Sequence, residues 1–326
     1  MIVVEPCGGL GNRLMAMMSA RMMAEYVGCD FRVSWCAQHW LPTSGYDLAD
    51  IFADLDSLRW DKDESGTLYE HEHTSPGMAL EVESRLRAGQ TVRLKSSCFI
   101  RPEMMTDEEF KENIHLQFAR LKPAPKVIGR VPSFPHNTVG IQIRRGDHWR
   151  ATRYSPLGLF FRIMDRHLAR SPDVYFYVAT DSPTVQETLK KRYGSRIVTA
   201  MPMTPASTPS DQAREALADM LALARTRVIY HSAMSSFGYV AHLMSRCPLR
   251  CISKPGVPAQ WNDAEMDRNH DIWMVWNWEQ NRWSCRKRPE ATLRENMHAW
   301  VMWARTQLVC SDVCQRWPFH ASDVIE

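Results

Sequence analysis

The stretch that decides the fold lies near the middle of the 326-residue chain and reads Val139-Gly140-Ile141-Gln142-Ile143-Arg144-Arg145-Gly146-Asp147. Its alternating branched residues predict a buried strand, which ends abruptly in two arginines, a glycine and an aspartate. Ligands of open α/β sheets lie outside the carboxyl ends of the strands, and the guanidinium fork matches phosphate oxygens. The stretch therefore predicts a phosphate or diphosphate ligand at Arg144 and Arg145. The alternative is a surface turn with a weak ion pair between Arg145 and Asp147.

A second candidate site lies at the start of the chain. Residues 2–5 predict a short strand, and an apolar helix follows the turn Pro6-Cys7-Gly8-Gly9-Leu10-Gly11-Asn12-Arg13. Backbone N–H groups in a glycine-rich turn, together with a helix N-terminus, favour an anion. The turn is not the dinucleotide fingerprint, because Leu14 stands where the third glycine should be. A tight turn that only needs a positive φ is the alternative.

Two further strands predict polar groups at the same edge of a sheet. The apolar residues 227–231 lead into Ser235 and Ser236 and then into a helix, and serine hydroxyls at a helix start suit phosphate. Residues 174–179 predict a buried strand that is followed by Asp181 and another helix. An ordinary helix cap is the alternative for the serines, and a favourable N-terminal charge is the alternative for Asp181.

Together these four motifs resemble those of the fucosyltransferase superfamily. Residues 142–147 match its His-x-Arg-Arg-Gly/Thr-Asp motif except at Gln142, where the family has histidine. Residues 8–12 match the Gly-Gly-Leu-Gly-Asn of alpha-1,2-fucosyltransferases, and protein O-fucosyltransferases carry a similar loop. Residues 179–181 match an Ala-Thr-Asp after a strand, and residues 235–237 match a Ser-Ser-Phe near a helix start. The order of the motifs agrees across about the first three quarters of the chain.

The resemblance implies a GT-B fold of the α/β class, in which two Rossmann-like, doubly wound domains face a cleft. It further implies an inverting, metal-independent glycosyltransferase that moves fucose from GDP-fucose to a glycan or another hydroxyl acceptor. The residues implied to bind the donor are Gly9, Gly11, Asn12, Gln142, Arg144, Arg145, Asp181, Ser235, Ser236 and Phe237. The residues implied to act in catalysis are Arg144, Asp147 and Asn12.

The same resemblance leaves the catalytic base unassigned. The base of alpha-1,6-fucosyltransferases aligns near Thr152, which cannot serve, and Asp147 is expected chiefly to brace the two arginines. The absent base and the glutamine at position 142 leave two alternatives open. One is a non-catalytic protein that binds a nucleotide sugar or glycan, and the other is a transferase for a different nucleotide sugar.

We expect no cofactor and no metal, so that arginine side chains would stabilise the leaving diphosphate. The sequence His71-Glu72-His73 could indicate a metal, but two histidines at that spacing share one face only in a strand, and no third ligand is evident. A solvated loop is therefore the preferred interpretation. The nine cysteines lack zinc-site spacing and are expected to be reduced thiols. Pairing of some tail cysteines in a secreted protein is the alternative.

Composition excludes several functional classes. A hydrophobic content of 44%, a charged content of 24% and a net charge of +3 describe a globular protein without the basicity that nucleic acid requires. The apolar runs are shorter than a membrane span. A strand follows Met1 directly, so no signal peptide or anchor is expected and a cytoplasmic location is predicted.

Three segments are predicted along the chain. Residues 1–130 form an acceptor-side Rossmann-like domain, residues 131–260 a domain for the nucleotide sugar, and residues 261–326 a tryptophan-rich helical tail that packs back on them. A proline-rich stretch at 122–135 separates the two domains. Strands and helices alternate in the second domain, whereas residues 44–90 are predicted to be irregular.

Overall fold

The computed structural model describes most of the chain up to residue 253 and two short strands beyond it. The described residues are 1–35, 45–54, 67–71, 78–146, 149–200, 208–233, 235–253, 273–277 and 282–286. They divide into two compact units, each discontinuous in the chain. Unit 1 comprises residues 1–134, 198–225 and 240–247, and unit 2 comprises residues 135–197, 226–239 and 248–326.

Unit 1 is built on a four-stranded parallel sheet with the strand order β2-β1-β4-β3. The strands are β1 (Ile2–Pro6), β2 (Phe31–Val33), β3 (Thr67–His71) and β4 (Val92–Ser96). The helices in the first part of the unit are α1 (Leu10–Val27), α2 (Met78–Arg87), α3 (Asp107–Ala119) and α4 (Pro125–Ile128).

Helix α1 is the core helix of unit 1 because nearly every side chain between Arg13 and Ala24 is buried. Its leucine, methionine and alanine residues favour a helix and carry no polar group into the core. Gly28 ends the helix in the left-handed conformation at φ 77°, which glycine adopts without a Cβ clash. Helix α3 begins with a capping box between Thr106 and Glu109.

Helix α8 (Pro209–Ala224) belongs to unit 1, although it follows strands of unit 2 in the chain. Arg130 pairs with Asp211 at 2.8 Å and with Glu215 at 3.0 Å. The Asp50 carboxylate accepts a hydrogen bond from Ser210 Oγ at 2.7 Å and pairs with Arg214. These contacts attach the helix to the segments around residues 50 and 130.

Unit 2 contains a five-stranded sheet with the order β7-β6-β5-β8-β9. The strands are β5 (Thr138–Ile143), β6 (Tyr175–Thr180), β7 (Ile197–Val198), β8 (Ile229–Ser232) and β9 (Leu249–Ile252). The helices that begin in this unit are α5 (Trp149–Tyr154), α6 (Leu157–Arg170), α7 (Pro183–Tyr193) and α9 (Ser236–Ser245). Two antiparallel strands follow near the end of the chain, β10 (Trp273–Asn277) and β11 (Arg282–Arg286).

In each sheet the first strand lies in the interior, and later strands are added first on one side of it and then on the other, so the strand order reverses there. Strand β5 lies between β6 and β8, and β1 lies between β2 and β4, all in parallel. Ligands of doubly wound sheets bind outside the carboxyl ends of the strands at such a reversal. In unit 2 that position follows Ile143, and in unit 1 it follows Pro6, so both lead into motifs that the sequence singles out.

The predicted alternation of strands and helices in the second domain is confirmed between residues 138 and 245. The prediction that residues 44–90 are irregular is wrong for β3 and α2, because Val82 and Leu86 bury an apolar stripe whose helical spacing the charged residues around it obscured. Within the tail that was predicted to be helical, residues 273–277 and 282–286 form the strands β10 and β11, and the other residues from 261 to 326 lie outside the described part. The three predicted domain segments stay a prediction.

None of the helices in the described ranges has both the length and the apolarity that crossing a bilayer requires. The cysteines at positions 7, 29, 98, 247 and 251 are in the thiol form.

Candidate functional site

The candidate site in unit 2 lies where strands β5 and β8 end side by side. The backbone N–H of Arg144 donates to Ser232 Oγ at 3.0 Å. In return, the N–H of Ser232 donates to the Gln142 side-chain oxygen at 3.2 Å. Gln142 and Ser232 are both buried. These reciprocal bonds hold the two strand ends together at the reversal point of the sheet.

Asp181, which follows β6, holds the arginine turn from the other side. Its Oδ2 lies 3.1 Å from Arg144 Nε, and its Oδ1 accepts the backbone N–H of Arg145 at 2.7 Å. The Arg144 and Asp181 side chains are 35% and 25% exposed, so the pair is open to a ligand and only partly screened by water. Asp181 therefore braces the arginine turn, while the bracing role expected of Asp147 stays a prediction.

Arg145 turns back into the protein. Its Nη1 donates to the Arg144 carbonyl at 2.7 Å, its Nη2 donates to the Ser155 carbonyl at 2.9 Å, and its guanidinium carbon lies 6.0 Å from the centre of the Phe160 ring. Burial lowers the pKa of Arg145, while the carboxylate of Asp181 opposes that change. Arg145 therefore stabilises the turn, and Arg144 is the arginine that the turn presents.

Gly146 is required by the close approach of Asp181. A Cβ at this position would lie 2.8 Å from Asp181 Oδ2, closer than van der Waals contact allows. The glycine lets the carboxylate reach the backbone of the turn. A larger residue would require the Asp181 carboxylate to shift.

A shallow cavity of about 580 Å³ opens beside this turn, within the range of small-ligand sites. It is lined by Arg145, Gly146, Trp149, Thr152, Arg153, Asp181, Ser182 and Pro183. The Trp149 side chain is 47% exposed, which makes it an unusual apolar surface at the rim of a polar cavity. Helix α5, which carries three of these residues, begins just after the arginine turn.

In unit 1 the glycine loop follows the carboxyl end of β1. Gly8 adopts φ +82°, and Gly9 is the extended residue that precedes helix α1. Gly11 and Asn12 lie in the first turn of that helix rather than in the loop. A Cβ on Gly8 would lie 3.2 Å from Asn12 Cβ, so the Asn12 side chain folds over the loop.

Arg13 holds the loop from inside unit 1. The side chain is fully buried, and its Nε donates to the Gly8 carbonyl at 3.1 Å. Its guanidinium carbon lies 4.7 Å from the Trp35 ring centre and 5.7 Å from that of Tyr46, in cation–π geometry. Burial raises the pKa of Tyr46 to about 12, and the neighbouring Arg13 opposes that rise.

The Ser-Ser-Phe motif lies where β8 leads into α9. Ser235 is buried, and helix α9 begins at Ser236. Gly238 in its first turn packs directly on the strand, since a Cβ there would lie 2.6 Å from His231 Cβ. The motif therefore lies next to the end of the strand that carries Ser232.

The structure brings four of the predicted site residues together in unit 2, namely Gln142, Arg144, Arg145 and Asp181. Gly9, Gly11 and Asn12 lie in unit 1, and Asp147 lies outside the described residues. His71 ends strand β3, while Glu72 and His73 also fall outside the described part. No group of three or more potential metal ligands occurs within the residues that the structure describes.

Sequence reasoning did not identify Ser232, Ser155 or Arg13 as site residues. Ser155 Oγ accepts the backbone N–H of Ala233 at 2.8 Å, which holds the chain after β8. A hydroxyl residue at the end of a predicted strand could have indicated Ser232. An arginine opening an otherwise apolar helix could have indicated Arg13, because a buried charge requires specific partners.

The chain matches no protein-family model and no curated protein sequence. It does resemble solved structures. A NodZ alpha-1,6-fucosyltransferase soaked with GDP-fucose aligns with a TM-score of 0.52 and 15% identity, over 78% of this chain and 94% of that one. The fucosyltransferase NodZ from Bradyrhizobium aligns with a TM-score of 0.53 and 16% identity, over 78% and 95%.

A variant of Arabidopsis thaliana FUT1 in complex with GDP is a third similar structure, with a TM-score of 0.52 and 16% identity over 81% of this chain and 72% of that one. At such identities the likeness concerns the fold. The chain therefore has the α/β fold with parallel sheets that these fucosyltransferases share.

Proposed function

We propose that the chain is an inverting, metal-independent glycosyltransferase of GT-B architecture that transfers fucose from GDP-fucose to a hydroxyl of a glycan acceptor. The observation that carries the proposal is the presentation of Arg144 at the strand reversal of unit 2, braced by Asp181 and Ser232. The likeness to structures soaked with GDP-fucose or complexed with GDP supports the same donor.

Arg144 would stabilise the leaving diphosphate. In the transfer step the acceptor oxygen forms a bond to the anomeric carbon from the face opposite the diphosphate. The bond between that carbon and the diphosphate oxygen breaks, and GDP leaves with the electron pair. A guanidinium carries five N–H donors in a planar fork that matches phosphate oxygens, and Asp181 holds that fork through Nε. Charge that is already in place when the bond breaks is usually a large catalytic contribution.

The glycine loop of unit 1 is proposed to bind the donor as well. Its positive-φ residue Gly8 and the extended Gly9 expose backbone to a ligand, and Asn12 at the start of α1 could donate to the sugar or a phosphate oxygen. Arg13 would act indirectly, because its bond to the Gly8 carbonyl fixes the loop.

Gln142, Asp181, Ser235, Ser236 and Phe237 would hold the nucleoside and the phosphates. The Ser232 N–H fixes the oxygen of the Gln142 amide, which makes the amide nitrogen the atom that would donate to a guanine edge. The acceptor proton requires a base or a loose transition state. Asp147 is the carboxylate nearest in sequence to Arg144, and its part in this step is also proposed.

The experiment that tests the proposal incubates the full chain with GDP-fucose and follows the release of GDP, first without an acceptor and then with a panel of neutral and charged oligosaccharides. We expect GDP release above the uncatalysed rate, accelerated by one class of acceptor.

Binding of GDP-fucose without any turnover would identify a non-catalytic binding protein and overturn the enzymatic assignment. Turnover of a UDP-sugar in its place would retain a transferase and overturn the donor. A panel of nucleotide sugars in thermal unfolding separates these outcomes, because a bound donor raises the stability by mass action.

A further inference from the structure

A cluster of four arginines lies on unit 2 at the opposite end of the strands from the candidate donor site. The arginine cluster consists of Arg166, Arg170, Arg227 and Arg250, and the side chains of all four residues are exposed. Arg166 and Arg170 belong to α6, Arg227 precedes β8, and Arg250 lies in the edge strand β9.

The elements that carry these arginines are held in register by two contacts. His167 Nε2 lies 3.0 Å from the Tyr230 hydroxyl, which joins α6 to β8. Arg250 is the cross-strand partner of Tyr230 in the parallel pairing of β8 with β9. Arg166 and Arg170 are one helical turn apart and therefore neighbours on one helix face. All four arginines thus lie close enough to this His–Tyr pair to act electrostatically on His167.

The two arginines that α6 contributes to the cluster have no carboxylate partner in the part of the chain that the structure describes. Asp165, on the same helix, pairs with Arg192 and accepts a hydrogen bond from the Tyr193 hydroxyl. Burial lowers the pKa of His167, and all the charges that add to this effect are arginines of the cluster. The surface therefore has a concentrated positive potential in a chain whose net charge is only +3.

We propose that the arginine cluster binds an anionic glycan through its sulfate or carboxylate groups, as a docking surface separate from the donor site. Arginine rather than lysine supplies every charge, and the planar fork binds such oxyanions with two parallel hydrogen bonds. The choice of a glycan rests on the proposed transferase function, for which an extended acceptor chain would contact the protein beyond the reacting residue.

Features of the same surface disfavour two other polyanions. Membrane-surface binding combines basic residues with inserted apolar side chains, and none of the large apolar side chains exposed on the described residues lies on α6, β8 or β9. Single-stranded nucleic acid is bound through stacked aromatic rings, whereas Tyr230 and His167 are partly buried against each other.

The test measures binding of a heparin-derived octasaccharide to the full chain by calorimetry, without any nucleotide sugar. The test variant is the double substitution Arg166→Gln/Arg250→Gln. The control is Lys190→Gln/Lys191→Gln, which removes the same charge from two exposed positions at the end of α7. We expect at least a tenfold loss of affinity in the first variant and less than a twofold loss in the control.

Equal losses of octasaccharide affinity in both variants would show that binding depends only on net charge. That result would overturn the docking surface. Retained octasaccharide affinity in the test variant, with lost binding to phosphatidylserine vesicles, would assign the surface to a membrane instead. Neutral maltooctaose should bind to neither protein. The binding assay contains no donor, so its outcome does not depend on GDP release. Loss of octasaccharide binding would therefore overturn only the docking surface, and absence of GDP release would overturn only the proposed function.

Discussion

Arg144 Nε lies 3.1 Å from Asp181 Oδ2, so the strands β5 and β6 end in an ion pair that unites two motifs separated by more than thirty residues. The same carboxylate accepts the backbone N–H of Arg145. Asp181 thereby fixes both the charge and the path of the arginine turn. A preoriented guanidinium needs little reorganisation when charge develops on a leaving diphosphate.

Arg144→Lys should reduce the rate of GDP release from GDP-fucose about 100-fold or more, because a single ammonium replaces the planar fork. The thermal unfolding temperature should change little, since the arginine side chain is partly exposed. Arg162→Lys, at an exposed position of α6, is the matched control and should keep its rate. Near-normal turnover of the Arg144 variant would remove the arginine from the mechanism.

Saturating EDTA should leave the rate of GDP release almost unchanged, because arginine rather than a divalent cation is proposed to stabilise the leaving group. The measurement compares initial rates before and after exhaustive chelation and after addition of Mg²⁺ or Mn²⁺. Loss of activity that either ion restores would contradict the metal-independent mechanism and direct attention to His71 and His73.

GDP should bind at least tenfold more tightly than UDP, ADP or CDP, a difference of about 1.4 kcal/mol. The Gln142 amide, oriented by the Ser232 N–H, can pair with a guanine edge, and one or two such bonds can supply that selectivity. Titration calorimetry of the four diphosphates tests this expectation. Equal affinities would show that the base is not read, while the transferase fold would stand.

Gly238→Ala should destabilise the protein by about 1–3 kcal/mol, because the added methyl would lie 2.6 Å from His231 Cβ. Gly158→Ala offers a matched control in helix α6, where an added Cβ meets no atom within 4 Å. That change should be neutral or stabilise by up to about 1 kcal/mol. Urea unfolding measures both, and equal effects would refute the close packing of α9 on β8.

Acid should destabilise unit 1 through His115. Burial lowers the pKa of this histidine, and the nearby His242 and Arg246 act in the same direction, while its hydrogen bond with the Leu243 carbonyl and the charge of Glu112 oppose them. Below the ordinary value of 6.5, the unfolded chain therefore binds a proton more readily than the folded chain, and stability falls as pH falls.

His115→Gln should thus show a smaller loss of unfolding free energy than the parent protein between about pH 7.5 and pH 5.5. The glutamine amide can still donate to the Leu243 carbonyl. His136→Gln removes an exposed histidine and should keep the parent pH dependence. An unchanged pH profile in the His115 variant would exclude this histidine as the source of acid sensitivity.

The alternating strands and helices between residues 138 and 245 were predictable from the sequence. Their strands are short apolar runs and their helices are amphipathic, and both patterns can be recognised within each segment alone. Helix α2 and strand β3 were not predicted, because both are short and rich in charged residues. In such segments the few apolar residues form a recognisable face only once the segment packs against the rest of the unit. The membership of α8 in unit 1 depends on Arg130 and Asp50, which are remote in sequence from the helix.

By itself, the sequence determined that buried strands end in arginines, an aspartate and serines, and that a glycine turn opens the chain. Which of these groups touch was decided only by the tertiary structure. Asp181, which follows the neighbouring strand, was found to brace the arginine turn, and Arg145 was found to face inward toward the Ser155 carbonyl. The physical reason is that parallel pairing brings together the ends of β5, β6 and β8, and their register depends on the packing of the whole sheet.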